Sequence, residues 1–278
     1  MEDPFPPRPR FIGFTTTRYA DAQSIIATID EHTLPEDIAL GVGLRLTSQL
    51  LRKGRTDHAT KPYDRCFCPP NQEEARAIAK VTSRLSPLIL ELEPETREPE
   101  TLLREAETAF AFLRQPPDLL RFDAPWPAAD AYETLHKRYP QLRFVLWLGP
   151  LAQALCSEEP AGCIDHAENR YGELLGHHGG PISHLLWNEN GKRYARELNP
   201  EKAIRFVQTT HQDCPGVGPM LAGGFGPESG TVLDLLTDRA RRFSVEARKR
   251  LAKRSGEPPD PERTVTYIRE ALKRLAHP

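Results

Sequence analysis

With 278 residues, 38% of them hydrophobic and 27% charged, the chain is long enough for one large α/β domain or two small ones. Its 37 basic and 39 acidic residues leave a formal net charge of −2, so no global field points to nucleic acid or to an anionic membrane. The longest apolar runs, such as 87–90 and 144–148, fall far short of the roughly 20 residues of a spanning helix, and no membrane segment is expected.

Residues 1–10 carry no apolar signal region and read as a short mobile lead, which sets the expectation of a soluble, cytoplasmic protein. The five cysteines, an odd number, are expected as reduced thiols. Cys66 and Cys68 are spaced C-x-C, and Cys156 and Cys163 C-x6-C. Neither is the usual zinc spacing, so no metal is expected.

In chain order, 10–15 is a first strand. It is followed by a helix over 19–32 with Ala22, Ile25, Ile26 and Ile29 on one face. A second strand, 40–47, leads into a polar basic loop over 52–65. Asn71 then caps a helix, with Glu74 three residues on completing a capping box, and Ala75, Ile78, Ala79 and Leu85 form its apolar face. A third strand, 87–92, is followed by a helix carrying Leu102, Leu103, Ala106, Phe110 and Leu113. Residues 119–123 are a fourth strand, with a helix from Pro127 to Tyr139, and 143–148 are a fifth.

The segment 151–180 is the least patterned; it contains a helix at 164–175 and ends in His177-His178-Gly179-Gly180. Residues 183–188 are a sixth strand. Asn199-Pro200-Glu201 is a strong helix start, before a helix with Ala203, Ile204 and Val207 inward. Strand seven ends in Met220, Leu221 and Ala222. Gly223 and Gly224 allow close backbone approach, and Gly226-Pro227 reads as the opening of the next helix. A short eighth strand spans 242–246. The last helix starts at Asp260-Pro261-Glu262 and is expected to bury Val265, Ile268, Leu272 and Leu275.

Eight short apolar strands alternating with helices, with no linker between two composition regimes, predict the α/β class. The expected architecture is a single closed (β/α)8 TIM barrel over 11–278. An open doubly wound sheet is the alternative. The barrel is favoured because its phosphate site belongs in the loops after strands seven and eight, where Gly223, Gly224, Gly226 and Ser244 fall in this count.

Five pieces in the same order resemble the phosphoribosylanthranilate isomerase family. Arg10-Phe-Ile-Gly-Phe-Thr15 resembles K-I-C-G-I-T at its first strand. Arg65 with 70–75 is similar to the arginine and S-P-E-x-A after the second strand, and Leu185-Leu-Trp-Asn188 with Gly191-Lys192 to L-L-L-D and the trailing G-G-T-G-K. Leu221-Ala-Gly-Gly-Phe-Gly-Pro-Glu228 resembles L-A-G-G-L-x-P-E-N, and Phe243-Ser-Val-Glu246 resembles S-S-G-V-E. The resemblance implies a barrel that grips a phosphoribosyl ligand. It also places Ile12 where the family has its cysteine general base, and Asn188 where it has its aspartate general acid. Neither side chain trades a proton near neutral pH, and losing such groups typically costs about 10²–10⁴-fold each. A shift of the alignment, by one residue at the sixth strand and three at the first, would bring Glu189 or Thr15 to those places.

The expected partner is therefore a phosphorylated sugar or similar small anion, with no cofactor, no nucleic acid and no membrane. Gly223, Gly224, Gly226 and Ser244 are the phosphate candidates, against the plain reading of a tight strand-to-helix turn. Arg65 and Thr15 are substrate-binding candidates, with a solvated loop arginine as the alternative for the former. Asn188, Asp123, Glu91 and Glu189 are the catalytic candidates, each lying at or near a strand end that faces a barrel mouth. Any chemistry they support is expected to be that of an isomerase or lyase. A non-catalytic sensor or protein-interaction barrel with a relic phosphate site is the reading from a different class. His177 and His178 read as solvent-exposed rather than metal-binding, and His184 as a satisfied core histidine. The eight basic residues between Arg239 and Arg254 lack aromatic interleaving and read as a solvated helix face.

Overall fold

Strands buried on both faces read as near-continuous hydrophobic runs, because one set of alternate side chains fills a barrel and the other meets the helices. The computed structural model, which describes residues 10–29, 34–55, 66–81, 86–156, 158–176, 179–189 and 198–276, has that arrangement. Its strands are β1 (Arg10–Thr15), β2 (Ile38–Thr47), β3 (Leu88–Glu93), β4 (Leu119–Phe122), β5 (Arg143–Leu148), β6 (Ile182–Asn188), β7 (Gly218–Ala222) and β8 (Ser244–Ala247). All pair in parallel and in sequence order. β8 closes on β1 through Ile12 with Val245, Gly13 with Glu246 and Phe14 with Ala247. Closure makes this a (β/α)8 barrel and rules out the open doubly wound sheet.

The helices are α1 (Tyr19–Thr28), α2 (Ser48–Lys53), α3 (Gln72–Ala79), α4 (Pro99–Leu113), α5 (Ala129–Arg138), α6 (Pro150–Ala154), α7 (Pro160–Tyr171), α8 (Pro200–Asp213), α9 (Gly230–Arg239) and α10 (Pro261–Leu275). Five of them open on a proline, whose fixed φ and missing N–H suit the first helical position. Asn71 caps α3, its Oδ1 accepting from Glu74 N at 2.9 Å. Glu74 does not close the expected box. Its carboxylate accepts from Tyr19 N at 2.7 Å instead, tying α3 to the start of α1.

Two cores result. Phe11, Ala39, Ile89, Leu119, Val145, Leu186 and Met220 fill the lumen. The outer core, between sheet and helices, includes Ile12, Phe14, Val42, Leu90, Phe122, Leu146 and Val245.

Several sequence expectations need correction. The helix after β7 begins at Gly230 rather than Pro227, because Ser229 Oγ accepts from Gly226 N at 2.9 Å and Ser229 N donates to Gly226 O, closing a separate turn first. β8 begins at Ser244 rather than Arg242, whose φ of 56° breaks the extended chain. The basic loop after β2 starts as a helix, α2, because Thr47 Oγ1 accepts from Leu50 N. In α10 the buried face is Thr264, Tyr267, Ile268, Ala271 and Leu275, with Val265 and Leu272 only partly covered. The cysteines are not all thiols: Cys156 and Cys163 form a disulfide, their Cα atoms 5.5 Å apart across the short α6–α7 turn. Cys66, Cys68 and Cys214 are buried and take part in no disulfide. With that disulfide present, the cysteine content no longer argues for a reducing compartment. Among the described residues, no helix is long and apolar enough to cross a membrane.

Candidate functional site

Strand parity decides what stands at the mouth, the end of the barrel where the strands finish. The lumenal set continues upward from the apolar layer into charge: Arg45 on β2 pairs in register with Glu91 on β3, and Glu91 with Arg121 on β4. Glu246 on β8 completes this layer. Gly13 beside it has no side chain, and a Cβ there would stand 3.2 Å from Glu246 Cγ.

β4 and β8 lie on opposite sides of the barrel, so Arg121 spans the lumen, with its Nη1 donating to Glu246 Oε2 at 2.5 Å and Nη2 to Oε1 at 3.0 Å. Arg121 Nη2 also donates to Glu91 Oε2. Arg45 donates to Glu91 Oε1, to Asp123 Oδ2 at 2.8 Å and to Glu93 Oε2 at 2.5 Å. Arg248, just past β8, donates to Glu91 Oε1 at 2.8 Å, to Glu91 Oε2, and to Glu246 Oε1 at 3.4 Å. Three guanidinium groups and four carboxylates thus form a layer across the lumen, with Arg45 only 1% exposed. Burial pushes the Glu246 carboxyl up, but the charge and hydrogen bonds of Arg121, then of Arg248, outweigh it and hold the pKa at about 2.

This layer has consequences for two catalytic candidates. Each oxygen of a carboxylate offers two acceptor sites. Glu91 receives Arg45 and Arg248 on Oε1, and Arg121 and Arg248 on Oε2, so its four sites are filled. Asp123 shares Arg45 with Glu91 but is engaged through Oδ2 alone, leaving Oδ1 without a partner among the described residues.

The other candidates disperse. Thr15 ends β1 and is buried. Asn188 ends β6 half-buried, and its carbonyl accepts from Gln153 Nε2 at 3.3 Å. Glu189 turns toward α8, where its Oε2 accepts from Asn199 N at 2.8 Å. Ile12 lies in the outer core, fully buried on the helix side of β1 and away from the lumen. His184 is buried in the lumen wall, its Nδ1 2.8 Å from Ser183 Oγ. Arg65, His177, His178, Gly191 and Lys192 lie outside the described residues.

Gly223 and Gly224 follow β7 directly with φ of 87° and 124°, conformations that L side chains avoid. The Gly224 carbonyl accepts from Arg250 Nη1 at 2.8 Å. Gly226 is buried, its N–H is spent on Ser229 Oγ, and a Cβ there would strike Arg250 Cβ at 2.7 Å. Ser244 is not brought to this turn. It is the first residue of β8, and its Oγ accepts from Phe11 N at 2.9 Å on the opposite side of the lumenal layer from the mouth. The basic run 239–254 is not one solvated helix face either. β8 divides it, with Arg241 and Arg242 before the strand and Arg248 and Arg250 after it.

Sequence reasoning missed Arg45, Arg121, Glu246 and Arg248. A signal was present: a charge flanked by large apolar residues, as in Leu44-Arg-Leu46, Leu120-Arg-Phe122 and Leu90-Glu-Leu92, marks a lumenal charge once both faces of a strand are buried.

No protein-family model matches the chain, and no curated protein matches it. Among solved structures it is similar to the phosphoribosylanthranilate isomerase of Thermus thermophilus, at 18% identity over 96% of this chain and 98% of that one, with a TM-score of 0.53. It is also similar to the enzyme of that name from Thermotoga maritima, at 14% identity over 95% and 99%, TM-score 0.55. The catalytic domain of a hyperthermophilic chitinase from Pyrococcus furiosus matches at 11% identity over 99% and 98%, TM-score 0.55. The fold resembles that of the isomerases over nearly its full length, at identities that establish likeness of fold alone.

Proposed function

We propose that this barrel binds a phosphorylated sugar or a related small anion at the turn after β7 and lacks the isomerase chemistry of the family it resembles. The observation that carries the binding reading is the pair of left-handed glycines, Gly223 and Gly224, at the C-terminal end of β7, the place where barrels of this architecture hold phosphate. Arg250, fixed to the Gly224 carbonyl and 3.9 Å from the Glu228 carboxylate with which it shares its charge, stands beside that turn. Ligand binding, rather than metal or cofactor chemistry, is the role these residues suit, and the small-molecule partner follows from it.

The loss of chemistry rests on the positions of Ile12 and Asn188, neither of which is a proton-transfer group. Of the remaining carboxylates, Glu91 is saturated by three arginines and Glu189 faces α8. If isomerase or lyase chemistry persists, Asp123 is the acid or base to hold responsible. A non-catalytic sensor barrel is the second reading, favoured by the mutual pairing of the lumenal charges.

The test is a thermal-shift titration with ribose 5-phosphate, alongside an isomerisation assay with phosphoribosylanthranilate. A ligand at a hundred times its Kd stabilises by about 2.7 kcal/mol, which a melt resolves. The expected result is a saturable shift that Gly224→Asp abolishes, with no turnover. An equal shift in that variant would count against the site, and turnover at an enzyme's ordinary rate would overturn the loss of chemistry.

A further inference from the structure

The lower end of the barrel, where the strands begin, holds a cleft that none of the above uses. It has a volume of about 260 Å³ and is lined by Arg10, Asp37, Arg241, Arg242, Phe243 and Leu275 among others. β1 and the approach to β2 form one wall, and the turn between α9 and β8 forms the other. Phe243 and Leu275 close its floor, only 1% and 2% exposed, so that just their edges reach the cleft.

Its charges are unequal. Arg10 is committed: Nε and Nη2 bind Asp37 Oδ2 at 2.9 and 2.7 Å, and Nη1 donates to the Leu275 carbonyl at 2.8 Å. Asp37 is thereby neutralised. Arg241 and Arg242 are exposed, and among the described residues neither guanidinium has an ion pair or hydrogen bond. The cleft therefore carries two uncompensated cations above an apolar floor.

The turn that presents them is held in place from outside. The Arg239 carbonyl accepts from Gln208 Nε2 at 2.9 Å, and the Arg241 carbonyl from His211 Nε2 at 2.8 Å, both from α8. Arg242 sits at φ 56°, where glycine or asparagine would be relaxed and a long side chain is disfavoured. Strained backbone that the surroundings enforce clusters at ligand-binding positions. A planar guanidinium fork is suited to two-point recognition of an oxyanion.

We propose that this cleft binds a small amphipathic oxyanion, its carboxylate or phosphate on Arg241 and Arg242 and its apolar body over Phe243 and Leu275. The site is separate from the β7 turn, since the two lie at opposite ends of the strands. Its volume, just below the range of about 300–1,000 Å³ for drug-sized ligands, suits a single ring or a short chain.

The experiment titrates the full chain with phenyl phosphate, with benzoate and with inorganic phosphate. It follows melting temperature, and maps phenylglyoxal labelling of arginines by mass spectrometry. Phenyl phosphate or benzoate should raise the melting temperature and protect Arg241 and Arg242 from labelling. Arg242→Gly, which removes the strain with the guanidinium, should melt no lower than the unmodified chain and bind at least tenfold more weakly. Gly224→Asp should leave this binding unchanged. Protection confined to Arg248 or Arg250 would assign the ligand to the mouth and overturn the proposal, as would equal binding by Arg242→Gly or no shift with either aryl probe. An Arg242-dependent shift as large with inorganic phosphate would overturn the role given to the apolar floor.

Discussion

Replacing Glu246 by glutamine tests the charged layer in the lumen, because the amide keeps the shape and drops the charge. Glu246 sits between Arg121 and Arg248, its side chain 6% exposed. Its pKa of about 2, against an ordinary 4.5, corresponds to about 3 kcal/mol of stability at neutral pH, at 1.36 kcal/mol per pH unit. That agrees with the roughly 3–5 kcal/mol lost when one partner of a buried ion pair is removed. The sign follows from the direction of the shift. A carboxyl whose folded pKa is depressed contributes fully above its unfolded value near 4.5, and the contribution fades as pH falls toward 2. Urea unfolding followed by tryptophan fluorescence should therefore show Glu246→Gln less stable by about 3 kcal/mol at pH 7. The gap between the two proteins should narrow between about pH 5 and pH 2, because the unmodified chain loses what the variant never had. A difference below about 1 kcal/mol at pH 7, or one that stays constant down to pH 3, would refute the reasoning.

Three further outcomes are expected. Asn71→Ala removes the α3 cap and should lower stability by about 1 kcal/mol, measured by thermal or urea unfolding. The disulfide closes a short loop of sequence separation 7, for which chain entropy gives about 2.5 kcal/mol. Cys163→Ser should be destabilised by that order, and non-reducing peptide mapping of the unmodified chain should recover the 156–163 link. Installing Ile12→Cys and Asn188→Asp together should yield no isomerisation of phosphoribosylanthranilate, because position 12 faces the helix layer. Measurable turnover would show that β1 is placed differently at the mouth.

What the chain order of residues determined by itself was the set of elements and their succession. Apolar runs of strand length between amphipathic helices are local patterns, and caps such as Asn71, Asn199 and Asp260 act within one turn of chain, so all were legible. Eight such units in alternation left closure as the economical arrangement, and the glycines after β7 announced a tight turn with room for close backbone approach. Element boundaries slipped where a local side-chain bond competed with the expected element, as that of Ser229 to Gly226 N did just before α9.

Only the tertiary structure decided which side of each strand was lumen and which end of each strand a charge occupied. Arg45, Glu91, Arg121 and Glu246 are far apart in sequence and meet because parallel register and closure bring β2, β3, β4 and β8 around one axis. The same closure sent Ser244 to the start of β8 rather than its end, and split one basic run between the two ends of the barrel. Sequence periodicity carries the alternation of faces, but it does not say which face is which; that is fixed by what the sheet closes around.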